Sequence, residues 1–212
     1  MNLEQARFNM VEQQVRPWEV LDQRVLDRLA AVPREDFVPP AFRNLAYADI
    51  QIPIGQGQVM LPPKIEGRLL QALELKERDS VLEIGTGTGY LTAVMAGLAE
   101  YVTSVDIFPE LQRLAEWQLK NVSLQVGDAS RGWSQGGPFD AIAVTGSLPS
   151  VPNAFLEALK LEGRLFVVLG QAPVMEAVLI TRVGEKEWSR EGLFETVIPP
   201  LLHSKPKPKF VF

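Results

Sequence analysis

Between Val81 and Tyr90 the chain reads VLEIGTGTGY, a short apolar run that breaks into three glycines at alternate positions. Such a run is a buried strand, and glycines after it let the backbone turn sharply into a helix and let a ligand lie against it with no Cβ in the way. A strand, a glycine turn and a helix commit the chain to an α/β unit. The spacing also discriminates among ligands. A dinucleotide turn reads G-x-G-x-x-G and sets a pyrophosphate on the helix N-terminus. Here the pattern is G-x-G-x-G, with Glu83 two positions before the first glycine. A carboxylate there repels a pyrophosphate and attracts a cation. The ligand expected is a zwitterion with a sulfonium and an amino acid end.

Two further acids follow at strand ends. Asp106 closes the run Ser104-Val105-Asp106, 21 positions after Gly85, where an acid accepts both ribose hydroxyls. Asp128, in Gly127-Asp128-Ala129, follows the next predicted strand and is placed to accept from an adenine amine; taken alone, it serves equally as a turn former or helix cap. Ligands of open α/β sheets sit beyond the carboxyl ends of the strands, so the three acids are expected to face one crevice.

The rest of the chain supports that frame. Apolar positions recur at helical intervals from Leu3 to about Ala31, with a break at Arg16-Pro17. Residues 32–63 carry Pro33, Pro39, Pro40, Pro53, Pro62 and Pro63, which exclude long helices and predict an irregular wall. Helical spacing resumes from Ile65 to Leu75. Extended runs at 80–84, 101–105, 123–126, 139–145 and 164–169 then alternate with helical stretches at 90–98, 111–119 and 154–159. That alternation predicts a doubly wound, mostly parallel sheet, and 175–183 with 187–197 adds a closing antiparallel hairpin. One domain over 1–212 is expected: a helical and Pro/Gly-rich cap (1–63), a cofactor-binding core (64–200) and an exposed tail (201–212).

Composition removes several function classes. With 21 basic against 26 acidic residues the net charge is −5, which disfavours nucleic acid as a partner. There is no cysteine, hence no disulfide, thiolate nucleophile or cysteine-bound metal, and His203 is the only histidine, with no acid near it in sequence. It reads as a solvated or core-edge residue, and Trp18, Trp117, Trp133 and Trp188 read as packing residues. No N-terminal apolar core of a signal peptide and no window of ~18 apolar residues occurs, so no membrane span and a cytoplasmic location are expected.

Upstream of the glycine turn stand Val32-Pro33-Arg34-Glu35-Asp36-Phe37-Val38-Pro39, Ala46-Tyr47-Ala48-Asp49 and Pro53-Ile54-Gly55-Gln56-Gly57-Gln58; downstream stand Gly127-Asp128, Gly132-Trp133, Pro138-Phe139-Asp140 and Val144-Thr145. In this order, from about Met10 to Gly170, the chain resembles the protein-L-isoaspartate O-methyltransferases. The resemblance implies a Rossmann-like class I methyltransferase fold. It implies transfer of a methyl group from S-adenosylmethionine to the side-chain carboxylate of an isoaspartyl residue in an aged protein or peptide, an ester that collapses to a succinimide and so permits repair. Cofactor contacts would fall on Glu83, Gly85, Thr86, Gly87, Asp106 and Asp128, and the acceptor side on Ile54, Gly57, Gln58, Val59 and Leu61. One departure stands out. After the shared Gly-Gln the family continues Thr-Ile-Ser, whereas this chain has Val59-Met60-Leu61, so no catalytic hydroxyl is assigned. A hydroxyl that orients a carboxylate contributes ~1.5–3 kcal/mol, so either another donor replaces it or the acceptor is a different small molecule. A cofactor-binding protein without catalysis is a third reading.

Overall fold

The structure is a computed structural model that describes residues 2–112 and 120–204. The N-terminal cap begins with α1 (Leu3–Asn9), capped by the Asn2 side chain. It widens into a π-turn over Met10–Val15, which ends in a short 3₁₀ turn at Arg16–Trp18 where Pro17 stops the ladder. Helix α2 (Gln23–Ala31) starts on the Asp22 carboxylate, which accepts from the N–H of Arg24. The proline-rich stretch forms 3₁₀ turns at Arg34–Asp36 and Pro40–Leu45, then a two-stranded hairpin, β1 (Ile52–Gly55) and β2 (Gln58–Met60).

Helix α3 (Pro63–Leu73) leads into the core: β3 (Ser80–Ile84), α4 (Tyr90–Ala96), β4 (Tyr101–Asp106), α5 (Pro109–Gln112), β5 (Val122–Val126), β6 (Phe139–Leu148), α6 (Asn153–Glu157), β7 (Leu159–Gln171), β8 (Val174–Gly184) and β9 (Glu187–Glu195). The helix expected over 111–119 and the residue Trp117 lie mostly outside the described residues, as do 205–212. The seven core strands form one sheet in the order β5-β4-β3-β6-β7-β8-β9. Pairing is parallel from β5 to β7 and antiparallel from β7 to β9, as the sequence pattern predicted.

Period-two alternation explains the layers. Val81, Ala141, Ala143, Phe166 and Val168 belong to the hydrophobic cluster on one face, packed with α3, α4 and the N-terminal cap. Leu82, Ile84, Ile142, Val144, Leu165 and Val167 belong to the other, with Phe155 of α6. Both faces are covered, so the central strands are mostly apolar, with Glu83 and Ser104 among the buried polar exceptions. The chain winds outward from β3 to β5, then crosses back to lay β6 on the other side of β3. That reversal opens a crevice beyond the carboxyl ends of β3 and β6. Among the described residues no helix is long and apolar enough to cross a membrane.

Candidate active site

The glycine turn is built for close approach. Gly85, Gly87 and Gly89 have φ of +97°, +52° and +86°, a region in which side chains are strained. A Cβ on Gly85 would stand 2.1 Å from Oγ1 of Thr145, which itself donates to the carbonyls of Ile84 and Gly85 at 2.9 Å. Gly85 borders three small adjoining cavities of about 60, 40 and 60 Å³ along the strand ends.

Asp106 ends β4 beside this turn. Its Oδ2 accepts from the N–H of Gly87 (2.8 Å) and its Oδ1 from that of Phe108 (2.9 Å). Burial raises its carboxyl above the usual range, against those backbone bonds. Asp128 lies on the far wall of the first cavity with Phe108, Gly127 and Leu201. It accepts from the N–H of Ser130 (3.0 Å) and pairs with Nδ1 of His203 (2.9 Å). Burial works to raise the Asp128 carboxyl, but the bonds from Ser130 and His203 outweigh it and hold it below the usual range. Along the chain no acid stands near His203. The chain's return past β6 supplies one: Ser147 donates to the carbonyl of Pro199 (2.9 Å), and Leu201 donates back to Ser147 (3.0 Å). Leu201 and Leu202, placed with the tail in the sequence reading, thereby line the crevice.

Glu83 meets the crevice from beneath the glycine turn. By strand alternation it points to the face that carries α4, and it is fully buried. Its Oε2 accepts from the hydroxyls of Ser104 (2.5 Å) and Thr92, while Thr86 and Ser104 hydroxyls meet at 2.6 Å. Its Oε1 has no partner. Burial outweighs these bonds and pushes the carboxyl up to about 8. Glu83 therefore lies beneath the turn, lining the middle cavity.

That cavity is closed from above by the β1–β2 hairpin. Ile54, Val59, Met60 and Leu61 line it, and the Ile54 Cδ1 would stand 3.1 Å from a Cβ on Gly87. Gln58 borders the two flanking cavities. Gly57 borders none; it sits at the exposed hairpin tip with φ +69°, where a left-handed residue is needed to close the turn.

Sequence reasoning missed a buried ion pair in this wall. Arg34 is fully enclosed; its guanidinium donates to Glu66 and to the Leu61 carbonyl (2.5 Å) and stacks 4.5 Å from the centre of the Tyr90 ring. Burial pushes Glu66 up to about 7 despite Arg34. A signal was present: Glu66 falls in the buried stripe of α3 with Leu69, Leu70 and Leu73, where a charge needs a partner.

The family model for protein-L-isoaspartate(D-aspartate) O-methyltransferases matches residues 5–203, nearly the whole chain. The chain belongs to this family. Among family relatives, a protein-L-isoaspartate O-methyltransferase of Syntrophus aciditrophicus is 39% identical over 90% of both chains. One of Yersinia enterocolitica is 43% identical over 81% of this chain and 86% of the relative. A Plasmodium falciparum protein-L-isoaspartate O-methyltransferase, solved in complex with S-adenosyl-L-homocysteine, shares the fold with a TM-score of 0.80 over 95% of this chain and 98% of its own, at 19% identity.

Proposed function

We propose that this chain methylates the free carboxylate of isoaspartyl residues in proteins or peptides, using S-adenosylmethionine. The observation that carries the reading is the cradle itself: three glycines of positive φ run between Asp106 and the buried Glu83 at the sheet's reversal point, in a chain that matches the family over residues 5–203. The orphaned Glu83 Oε1 and the Cβ-free surface of Gly85 and Gly87 fit a ligand with a cationic end. Asp106 would hold the ribose, Asp128 the adenine amine, and Gly85, Thr86 and Gly87 the backbone contacts. When bound, S-adenosylmethionine supplies a methyl group on a positively charged sulfur.

The protein's own share is alignment. An acceptor carboxylate with a pKa of ~4 is already ionised near neutral pH, so no general base is required. Holding the reactants in line contributes ~7–11 kcal/mol to the lowered barrier. Ile54, Val59 and Leu61 exclude water from the wall, which strengthens the polar contacts left inside. The hydroxyls absent at 59 and 61 have a counterpart in Thr88, which lines the same cavity as Val59 and Leu61. Thr88 is the donor we assign to the acceptor carboxylate.

The test is transfer of labelled methyl from S-adenosylmethionine to an isoaspartyl peptide beside its aspartyl twin, scored as base-labile ester. Label on the isoaspartyl peptide alone is expected. Cofactor binding with no label on either peptide would favour a small-molecule acceptor, to which the apolar Val59 and Leu61 lend support.

A further inference from the structure

Glu66 and Glu83 come from different elements, α3 and β3, yet line one cavity of about 40 Å³ beneath the glycine turn, with Thr86, Gly87, Thr88 and Tyr90. Both are buried, and among the groups lining or closing that space Arg34 is the cation. The two carboxylates therefore outnumber the one guanidinium. Of the residues that line it, two polar atoms lack any partner, Oε1 of Glu83 and the hydroxyl of Tyr90, the latter on a residue only 2% exposed, and Nε of the enclosed Arg34 is unpaired as well. A buried acceptor without a donor costs on the order of 1–3 kcal/mol, and a cavity edged by such atoms and by two carboxyl groups is complementary to a small cation that donates hydrogen bonds.

We propose that Glu66 is a ligand-binding residue that, together with Glu83, receives the α-ammonium group of the cofactor's amino acid end. Arg34 orients it: by holding one Glu66 oxygen and the Leu61 carbonyl, it fixes the carboxylate against the hairpin wall. The ammonium then completes the acceptors of Glu83 and leaves the net charge of the cavity near zero. Burial, reinforced by Asp106 and Glu66, keeps a proton on Glu83 near neutral pH, and an arriving ammonium takes that proton's place. The assignment rests on the proposed use of S-adenosylmethionine, and it makes Glu66 a discriminator between ligands that carry the amino acid end and ligands that lack it.

The experiment compares equilibrium binding of S-adenosylhomocysteine, its deaminated analogue and 5′-methylthioadenosine, which has no amino acid end, to the full chain and to Glu66→Gln. Glutamine keeps an acceptor for Arg34 while removing the charge. The wild type is expected to prefer S-adenosylhomocysteine over the other two by on the order of ten- to a hundredfold, the range for hydrogen bonds to charged groups. E66Q should lose at least tenfold of that preference while holding 5′-methylthioadenosine within about threefold of wild type. An unchanged preference in E66Q would make Glu66 only a structural partner of Arg34 and overturn the assignment, leaving the methyltransferase reading intact. Equal wild-type affinity for all three ligands overturns it as well. Failure of the wild type to bind any of them overturns the cofactor reading itself. If E66Q loses every ligand with its melting curve unchanged, the same ratio in Glu83→Gln decides.

Discussion

Nδ1 of His203 lies 2.9 Å from Oδ2 of Asp128, joining residues 75 positions apart at one end of the crevice. Both side chains are substantially exposed, so the pair adds little to stability, in the range of ~0–1 kcal/mol for surface ion pairs. It does occupy one oxygen of the acid assigned to the adenine amine. His203→Ala should shift the melting temperature by no more than about 3 °C. Asp128→Asn should weaken S-adenosylhomocysteine binding by on the order of tenfold while leaving the fold intact, as read by calorimetry. Undiminished binding in D128N would remove Asp128 from the cofactor site.

Arg34 and Glu66 lie at the opposite extreme of burial. Removing one partner of a buried pair leaves an uncompensated charge and costs ~3–5 kcal/mol. Arg34→Met should lower the melting temperature by roughly 6–20 °C. The double variant R34M/E66L, which removes both charges, should recover most of that loss in a circular dichroism melt. Recovery of stability in the double variant without recovery of methyl transfer would separate the pair's role in the wall from its role in the fold.

Glu83 provides a pH test. Its folded pKa, about 8, lies above the ordinary carboxyl value, so the folded state holds a proton that the unfolded chain releases. The resulting stability is fully present below the unfolded pKa, declines as pH rises, and is gone above about 8. Urea unfolding between pH 5 and 9 should therefore show wild type losing stability relative to Glu83→Gln, whose amide does not titrate. Parallel curves would mean that Glu83 is ionised throughout.

At Gly85 the expected loss has two sources that can be separated. Gly85→Ala places a Cβ 2.1 Å from the Thr145 hydroxyl and a side chain at φ +97°. The left-handed backbone alone costs ~1–3 kcal/mol. Adding Thr145→Ala removes the collision but not the backbone strain, so the double variant should regain only part of the cofactor affinity lost in G85A.

Thr88→Val tests the acceptor side. Losing a hydroxyl donor to a carboxylate should lower kcat for an isoaspartyl peptide by on the order of 10- to 100-fold, with S-adenosylhomocysteine affinity little changed. Full activity in T88V would transfer the role to another group on this wall.

Much of this architecture was legible in the linear pattern. The runs at 80–84, 101–105 and 139–145 became β3, β4 and β6 with boundaries within a few residues, because strands buried on both faces are mostly apolar and the intervening helices are periodic. Asp106 and the glycines were legible for a local reason: they sit at one βα turn and the end of the next strand, where spacing along the chain predicts proximity. Gly57 belongs to a string that resembles the family's acceptor side, although a hairpin tip explains its left-handed backbone.

What the sequence by itself determined is the α/β alternation, the glycine cradle and family membership, since these depend on neighbours in the chain and on the preference of each residue for turn, strand or helix. Only the tertiary structure decided which acids share a space. Asp128 meets His203 because the strand order returns the C-terminal segment past β6, and Arg34 meets Glu66 because the cap folds onto α3. Glu83 turned inward because strand alternation gave it the helix-covered face. Charge and hydrogen bonding act over a few ångströms of space, and a sequence reports that distance only where the chain itself is short.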